Sequence, residues 1–431
     1  MYNMGMEVKT RFAPSPTGLM HIGSIRTALY AYLVAKKASG TFSLRIEDTD
    51  QTRLVEGSAE DIVSTLKWLG LQFNGEIIYQ SKRLDIYKEH AKKLLEEDFA
   101  YEKDGAVWFK TKKEDKTSLT DLVGQRVIEF QNATQDDFVI LKSDGFPTYH
   151  LAHVVDDHLM ETNPVIRGAE WISSIPKHVM LFEAFGWPLP QYAHLPIILG
   201  PDKSKLSKRH GAKPASEFRK DGFLPEAVLN YMALLGWTPP SGKEILSLPE
   251  MIEEFDLADV HITNPVFDIT KLEWMNGEYI RKMSDGELTK RLQECLVDHP
   301  QKDKIAPVAP FIKERIKKLS DFVPLTDFLW EKPEYDSEVF KKLKISDKNK
   351  VLQMVLEKML ELEKPWQAET FEKAFKSLAE ELGIKPGDLF QLIRVAVSGQ
   401  LVTPPLFASI KILEEEETLQ RIKRALNFLQ E

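Results

Sequence analysis

The sequence predicts an α/β protein: a doubly wound parallel sheet with an α+β insertion, followed by mainly α-helical domains. Three observations support this class. Strand and helix patterns alternate over residues 9–69, the segment 98–144 is polar with short strand-like repeats, and helical spacing with proline-rich joints dominates after Pro214. The 431 residues leave room for roughly two to four domains.

The first elements alternate in type. Residues 9–13 alternate apolar and polar side chains as a strand does, and two prolines and a glycine end the pattern. Residues 25–37 predict a helix, residues 41–46 a second strand, and residues 59–69 a second amphipathic helix. This order is typical of parallel strands connected by helices.

Shorter elements are expected at the end of the insertion and after it. Residues 139–141 and 165–166 predict strands with a buried helix at 151–155 between them, and a helix at 177–185 precedes a strand at 195–199.

Helices are expected to fill the C-terminal part of the chain. Residues 351–362 carry an apolar stripe at helical spacing, which indicates packing. Gly383 and Gly399 follow two further helical patterns, where glycine commonly ends a helix.

Composition limits the class of protein. The hydrophobic share of 43% and charged share of 29% are ordinary for a soluble globular chain. Cys295 is the single cysteine, which excludes an internal disulfide and fits a reducing cytoplasm. No signal-like N-terminus and no run of about 18 apolar residues is found, so no membrane partner is expected. The net charge of −9 argues against nucleic acid, but residues 203–213 carry five Lys or Arg and no acid.

The stretch 11–24 is the first that indicates chemistry. His21 and Gly23 stand where a strand has ended and a helix begins, which suits a polyphosphate because helix N-terminal amides face anionic oxygens. Gly23 lets a purine or ribose approach the backbone, and His21 can donate to a phosphate. The alternative is an ordinary loop histidine before a helix.

A second stretch, Lys205-Leu206-Ser207-Lys208-Arg209, follows the expected strand at 195–199. Two lysines on a loop can close over a triphosphate and neutralise charge as pyrophosphate departs. A solvated basic loop is the alternative, and it becomes less plausible beside the first stretch.

Taken together, these strings resemble the two signature motifs of class I aminoacyl-tRNA synthetases. The string Arg45-Ile46-Glu47-Asp48-Thr49-Asp50 narrows the resemblance to the glutamyl type, and the likeness runs the whole length. Ser24 departs from the class pattern, which often has a second histidine there, although glutamyl members commonly carry a small residue. The resemblance implies a Rossmann-type nucleotide-binding domain that activates L-glutamate with ATP to glutamyl-adenylate, releasing pyrophosphate, and transfers glutamate to the 3′ end of tRNA(Glu).

The resemblance also implies residue roles. It assigns glutamate binding to Arg11, Ser15, Glu47, Tyr149 and Arg167, ATP binding to Thr17, Gly23, Glu170, Trp171, Ser207 and Lys208, and catalysis at the phosphates to His21, Lys205 and Lys208. Glu47 would accept from the α-ammonium. An arginine suits the γ-carboxylate and rejects the amide NH of glutamine, but whether Arg11 or Arg167 meets it stays open. Alternatives are a surface salt bridge for Arg167, a helix-start acid for Glu170 and a core position for Trp171.

Catalysis by positioning and charge stabilisation is implied, with Mg2+ accompanying ATP and no covalent nucleophile. His150, His153, Asp157 and His158 have the residue types of a zinc site, and the first three share a helical face. The resemblance places them in the nucleotide fold, where no metal is needed. Some members bind zinc through cysteines of the insertion, and this insertion has none. No zinc is expected.

The resemblance implies five segments: 1–83 and 149–215 as halves of the catalytic domain, 84–148 as the insertion binding the tRNA acceptor end, 216–283 as a stem-contact domain, and 284–431 as the anticodon-binding domain. Rival hypotheses are a related nucleotidyltransferase, a catalytically altered tRNA-binding paralogue, and a truncated relative that glutamylates a modified tRNA base. Intact His21, Lys205 and Lys208 argue against the paralogue. Residues 354–364 contain no arginine, which leans towards charging tRNA(Gln) as well. A monomer is the default expectation.

Overall fold

The computed structural model describes residues 7–204, 206 and 213–430. The chain divides into two compact units. The first comprises Met1–Arg219 and Phe223–Met275, and the second comprises Lys220–Gly222 and Asn276–Glu431.

A parallel sheet forms the centre of the first unit. Strands β1 (Lys9–Phe12), β2 (Thr41–Ile46) and β3 (Ile78–Tyr79) pair in parallel in the order β1-β2-β3, and β9 (Val165–Gly168) pairs in parallel with β10 (Tyr192–Leu195). Strand β9 lies beside β1, where Lys9 N donates to Asn163 O at 3.2 Å. The strand order therefore reverses between β1 and β9, which is where open α/β sheets bind ligands beyond the strands' carboxyl ends.

Five helices connect these strands: α1 (Ile22–Lys37), α2 (Ser58–Trp68), α3 (Leu84–Glu96), α4 (Tyr149–Leu159) and α5 (Ile175–Ala184). The predicted α/β class and its parallel sheet are confirmed.

One predicted strand is wrong in position. The pattern at 195–199 predicts a strand there, whereas β10 ends at Leu195. Pro196 follows, and a proline has no N–H to donate to the next strand. The apolar residues after it line a cavity instead.

The predicted insertion forms two small antiparallel structures. Strands β4 (Ala100–Lys103), β5 (Ala106–Phe109) and β8 (Phe138–Leu141) make one sheet. Strands β6 (Lys116–Asp121) and β7 (Arg126–Gln131) make a hairpin. The hairpin also joins the main sheet, because Asp121 pairs with Tyr192 of β10. This contact places a carboxylate of the insertion beside the catalytic half of the chain.

The remainder of the first unit is helical and shares the sheet's hydrophobic core. It contains α6 (Ala215–Lys220), α7 (Pro225–Leu234) and α8 (Leu248–Glu254). Trp237 and Phe255 are among the buried side chains that pack with α1. Ser247 begins α8 with a capping box that pairs its side chain and backbone with Glu250.

Helices make up the second unit, entered through α9 (Ile269–Lys282). Its elements are α10 (Asp285–Cys295), α11 (Ala309–Ile312), α12 (Phe322–Thr326), α13 (Ser337–Lys341), α14 (Lys348–Glu361), α15 (Ala368–Glu381), α16 (Pro386–Ser398) and α17 (Leu406–Phe428). In the predicted stripe on α14, Val351, Val355 and Met359 are buried. Gly383 and Gly399 have positive φ beyond α15 and α16, as helix-ending glycines do. Among the described residues, no helix combines the length and apolarity needed to cross a bilayer.

Candidate active site

Two adjoining cavities open at the carboxyl ends of β1 and β9. The first, called here the polar cavity, measures about 340 Å³. It brings together every residue predicted to bind glutamate: Arg11, Ser15, Glu47, Tyr149 and Arg167. These residues come from three strands' ends, one loop and the first turn of α4, so the sheet reversal assembles them.

The second, called here the larger cavity, measures about 570 Å³. It shares Thr17, His21 and Glu170 with the polar cavity and adds Gly23. Leu206 also lines it, whereas Lys205, Ser207 and Lys208, predicted for the phosphates, lie outside the described residues.

Trp171 lines the polar cavity. It is not among the described residues that line the larger cavity. Its ring centroid lies 4.0 Å from that of Tyr149, and its side chain is half-buried. The core position considered for Trp171 is therefore wrong. Glu170 is exposed in the first turn of the 3-10 helix Ala169–Ser174, so it is both a helix-start acid and a cavity residue.

The carboxylate of Glu170 occupies the space that a side chain at position 168 would fill, and residue 168 is a glycine. A Cβ built on Gly168 would lie 2.1 Å from a carboxylate oxygen of Glu170, which is closer than van der Waals contact permits. A larger residue at position 168 would require the Glu170 side chain to shift from this position.

His21 caps the helix that enters the larger cavity. Its Nδ1 accepts from Gly23 N at 3.1 Å, which starts α1 three residues before the predicted helix. An imidazole whose Nδ1 accepts carries its proton on Nε2 when neutral. His21 is exposed at the cavity wall, and its Nε2 lies 3.4 Å from Ser24 Oγ. This Nε2–H is therefore placed to donate to that hydroxyl or to an anionic oxygen near the helix N-terminus.

Buried ion pairs support the floor of the polar cavity. Arg11 donates through Nε and Nη2 to Asp157 at 2.9 and 3.2 Å, and through Nη1 to Ile166 O at 3.1 Å. Arg45, which is 0% exposed, donates to Asp157 at 2.7 Å and to Glu47 at 2.9 Å. Buried charges of this kind are stable only when paired.

The carboxyl group of Glu47 has a raised pKa, because burial outweighs the opposing effect of Arg45. A cation brought into the cavity would favour the ionised carboxylate. This property suits a residue that receives an ammonium group.

Arg167 is buried at 5% exposure, so the surface salt bridge considered for it is wrong. Its Nε donates to His194 Nε2 at 3.0 Å, its Nη1 reaches His178 Nδ1 at 3.0 Å, and its Nη2 donates to Trp171 O at 3.3 Å. Burial lowers the pKa of His178 and His194, so both rings are neutral and neither offers the guanidinium a negative charge.

The four residues considered for zinc have other partners. Asp157 binds Arg11 and Arg45, and the ring of His158 stacks on Trp187 at 3.8 Å. Across the described ranges, no group of three His, Cys, Asp or Glu side chains is placed to hold a metal ion.

Four supporting residues were not predicted from the sequence: Arg45 as an ion-pair partner, Asp121, His178 and His194. A signal existed for Arg45, because a charged residue inside an apolar strand must find a buried partner. Asp121 gave none, since its contact with His194 depends on the hairpin joining the main sheet.

Family comparisons cover most of the chain. The family described as "tRNA synthetases class I (E and Q), catalytic domain" matches residues 7–107 and 102–274. The family described as "Anticodon binding domain" matches residues 287–426.

Individual relatives match over nearly the full length. A glutamate–tRNA ligase of Dehalococcoides mccartyi is 42% identical over 99% of both chains, and glutamate–tRNA ligase 1 of Caldanaerobacter subterraneus subsp. tengcongensis is 38% identical over 99% of both. A crystal structure of a glutamate tRNA ligase from Elizabethkingia meningosepticum, in complex with its amino acid, superposes with a TM-score of 0.87 at 32% identity, covering 98% of this chain and 99% of that one.

Proposed function

The chain belongs to the glutamate–tRNA ligase family of class I tRNA synthetases, and from this membership we propose how its residues divide the reaction. It is an aminoacyl-tRNA ligase that uses ATP to attach glutamate to tRNA. The rival hypotheses of a nucleotidyltransferase or a non-catalytic paralogue are not favoured, because the relatives match over the full length as ligases.

Glutamate occupies the polar cavity in this proposal. Glu47 receives the α-ammonium, whose positive charge favours the ionised carboxylate and opposes the effect of burial on its pKa. Arg167 is the main anchor for a glutamate carboxylate because its partners are neutral imidazoles, whereas Arg11 is already paired with Asp157. A guanidinium whose partners are neutral can donate to a carboxylate, but it offers no acceptor to the NH groups of a glutamine amide.

ATP occupies the larger cavity, with its phosphates at the N-terminus of α1. His21 Nε2–H, Gly23 and Thr17 face the phosphates, and Lys205, Ser207 and Lys208 are proposed to approach from their loop. A glutamate carboxylate oxygen attacks the α-phosphorus and pyrophosphate leaves. The 3′-terminal ribose hydroxyl of the tRNA then attacks the activated carbonyl and AMP leaves. The protein contributes orientation and stabilisation of charge.

We propose that the segments of the chain bind different parts of the tRNA. Segments 1–83 and 149–215 form the catalytic domain, 84–148 holds the acceptor end, 216–283 contacts the stem, and 284–431 reads the anticodon. Mg2+ enters with ATP as part of the substrate, since it binds phosphate oxygens readily. We further propose a cytoplasmic monomer that charges tRNA(Glu) and accepts tRNA(Gln).

The observation that carries the proposal is that one cavity contains all five predicted glutamate-binding residues and adjoins His21. The test is charging of total tRNA with labelled glutamate and ATP. We compare wild type with His21→Asn and Lys208→Ala. Asparagine also caps helices, so His21→Asn keeps the start of α1 while removing the Nε2 donor. Both variants should lower kcat by about 10²–10³.

Lys92→Ala is the control, because Lys92 is exposed on α3 and pairs with Glu96. It should charge as wild type does. A wild-type protein that binds tRNA but charges nothing would refute the ligase assignment. Normal rates in both variants would leave the ligase in place but remove the phosphate roles of His21 and Lys208.

A further inference from the structure

Arg167 sits among imidazoles that come from three separate elements. His153 of α4 lies 3.3 Å from Nη1, His178 of α5 lies 3.0 Å from the same nitrogen, and His194 of β10 lies 3.0 Å from Nε. All three histidines are 0% exposed. Such burial is unusual for a polar ring unless its nitrogens have partners.

The chemistry of arginine fixes which nitrogen of each ring carries the proton. A guanidinium has donors and no acceptor, so each ring nitrogen that faces it must be unprotonated. The acceptor is Nδ1 in His178 but Nε2 in His194. The two rings are therefore opposite tautomers.

Partners on the far side of each ring agree with this assignment. The Nε2–H of His178 points to His150 Nδ1 at 3.1 Å. The Nδ1–H of His194 points to Asp121 Oδ2 at 2.5 Å, where a carboxylate can only accept. Two series of hydrogen bonds therefore start at Arg167. One runs through His178 to His150, and the other runs through His194 to Asp121 of the insertion hairpin.

We propose that His178 and His194 are positioning residues that hold Arg167 for the glutamate carboxylate, each as a neutral ring in the opposite tautomer to the other. The proposal rests on the proposed function, because it takes Arg167 as the carboxylate anchor. It assigns the two histidines a duty that depends on hydrogen position and not on bulk.

Neutral rings are what this duty requires. A protonated imidazole beside Arg167 would turn its acceptor nitrogen into a donor and place a second cation against the guanidinium. Burial lowers the pKa of His178, with His153, Arg167 and His150 acting in the same direction. Burial also lowers the pKa of His194, against the raising effect of Asp121.

Amide side chains provide a crossed test. An asparagine oxygen can replace an Nδ1 acceptor and a glutamine oxygen can replace an Nε2 acceptor. His178→Asn should therefore keep the hydrogen bond to Arg167, and His178→Gln should lose it. At position 194, His194→Gln should keep the hydrogen bond and His194→Asn should lose it. We expect the retained pair, His178→Asn and His194→Gln, to stay within about 3-fold of the wild-type KM for glutamate. The other two variants should raise this KM at least about 10-fold with the KM for ATP unchanged.

His90 supplies the control. It lies on α3 with Nδ1 2.7 Å from Ile86 O, away from the contacts of Arg167. His90→Asn and His90→Gln should leave the KM for glutamate unchanged. If Asn and Gln rank in the same order at positions 178 and 194, the tautomer proposal is overturned. If wild type fails to charge tRNA, the proposed function fails instead, so the two failures are distinguishable.

A second measurement needs no variant. Neutron crystallography of the wild-type protein locates the ring protons directly. A proton on Nε2 of His178 and on Nδ1 of His194 supports the proposal. A proton on either nitrogen that faces Arg167 contradicts it, whatever the variants do.

Discussion

At the scale of single residues, the site depends on charges that the protein buries and pairs. Arg45 is 0% exposed and connects Glu47 to Asp157, which in turn binds Arg11. Removing one member of such a network leaves the other charges buried without a partner, and that costs more than the network contributes as a whole. Arg45 is therefore expected to stabilise the fold as well as to orient Glu47.

We predict that Arg45→Met destabilises the protein by about 3–5 kcal/mol, because Asp157 and Glu47 lose a buried cation. Thermal unfolding followed by circular dichroism should show a lower Tm. Arg53→Ala is the matched control: Arg53 is 71% exposed and its contact with Asp50 is 4.0 Å, so its loss should change stability by less than about 0.5 kcal/mol. Equal Tm values for the two variants would contradict the buried network.

Tyr149 is predicted to donate to the bound glutamate. Burial raises the pKa of Tyr149 to about 12, so its hydroxyl keeps its proton at neutral pH. We expect Tyr149→Phe to raise the KM for glutamate by about 5–20-fold, the effect of losing one hydrogen bond to a charged group. Tyr101→Phe, in the insertion and 3.2 Å from Asp137, should not change it. An unchanged KM in Tyr149→Phe would remove this residue from the pocket.

At the scale of elements, periodicity predicted most strands and helices, and the errors have local causes. Strand β2 has the predicted bounds, since alternating side chains over residues 41–46 face a buried layer. Helix α1 begins earlier than predicted because His21 caps it, and β10 ends earlier because Pro196 cannot donate. Neither cause appears in the spacing of apolar residues.

Helices α4 and α5 are predicted to make stability sensitive to acid. Burial lowers the pKa of His178 well below its ordinary value, with His153, Arg167 and His150 adding to the effect and Asp157 opposing it. Above about pH 6.5 the ring is neutral in both folded and unfolded chains. Below it the unfolded chain takes up a proton that the folded chain does not, so stability falls as pH falls.

The measurement is Tm against pH from about 7.5 to 5, for wild type and His178→Asn. Each such ring contributes up to about 1.4 kcal/mol per pH unit below the unfolded pKa. The asparagine variant should therefore lose less stability on acidification. His261→Asn, at an exposed histidine, should follow the wild-type slope. An identical slope for His178→Asn would show that His178 is not held neutral.

At the scale of the whole molecule, the sequence predicted residues that meet in the polar cavity, but not the residues that support them. Arg11, Glu47 and Tyr149 stand in recognisable strings, and the sheet reversal brings them to one cavity. The support from Asp121 and His194 depends on a hairpin of the insertion pairing with β10, a contact between residues 73 positions apart. No local pattern encodes such a contact, so it had to be observed.

The first of the two units is predicted to fold and to bind the small substrates without the second. The core around the sheet draws its buried residues from Val8 to Met275, and both cavities lie within this unit. A chain ending at Met283 keeps that core and the whole of α9. We expect it to unfold cooperatively and to bind glutamate and ATP in calorimetric titrations.

The chain ending at Met283 should charge tRNA at least about 100-fold more slowly than the full-length chain. It lacks residues 287–426, which match the anticodon-binding family, and therefore lacks their expected contacts to single-stranded bases. His21→Asn in the full-length chain is the counterpart, since it should keep tRNA binding while losing charging. If the chain ending at Met283 charged total tRNA at the full-length rate, the second unit would have no part in recognising tRNA. Loss of glutamate binding with the fold intact would instead place part of the amino-acid site beyond Met283.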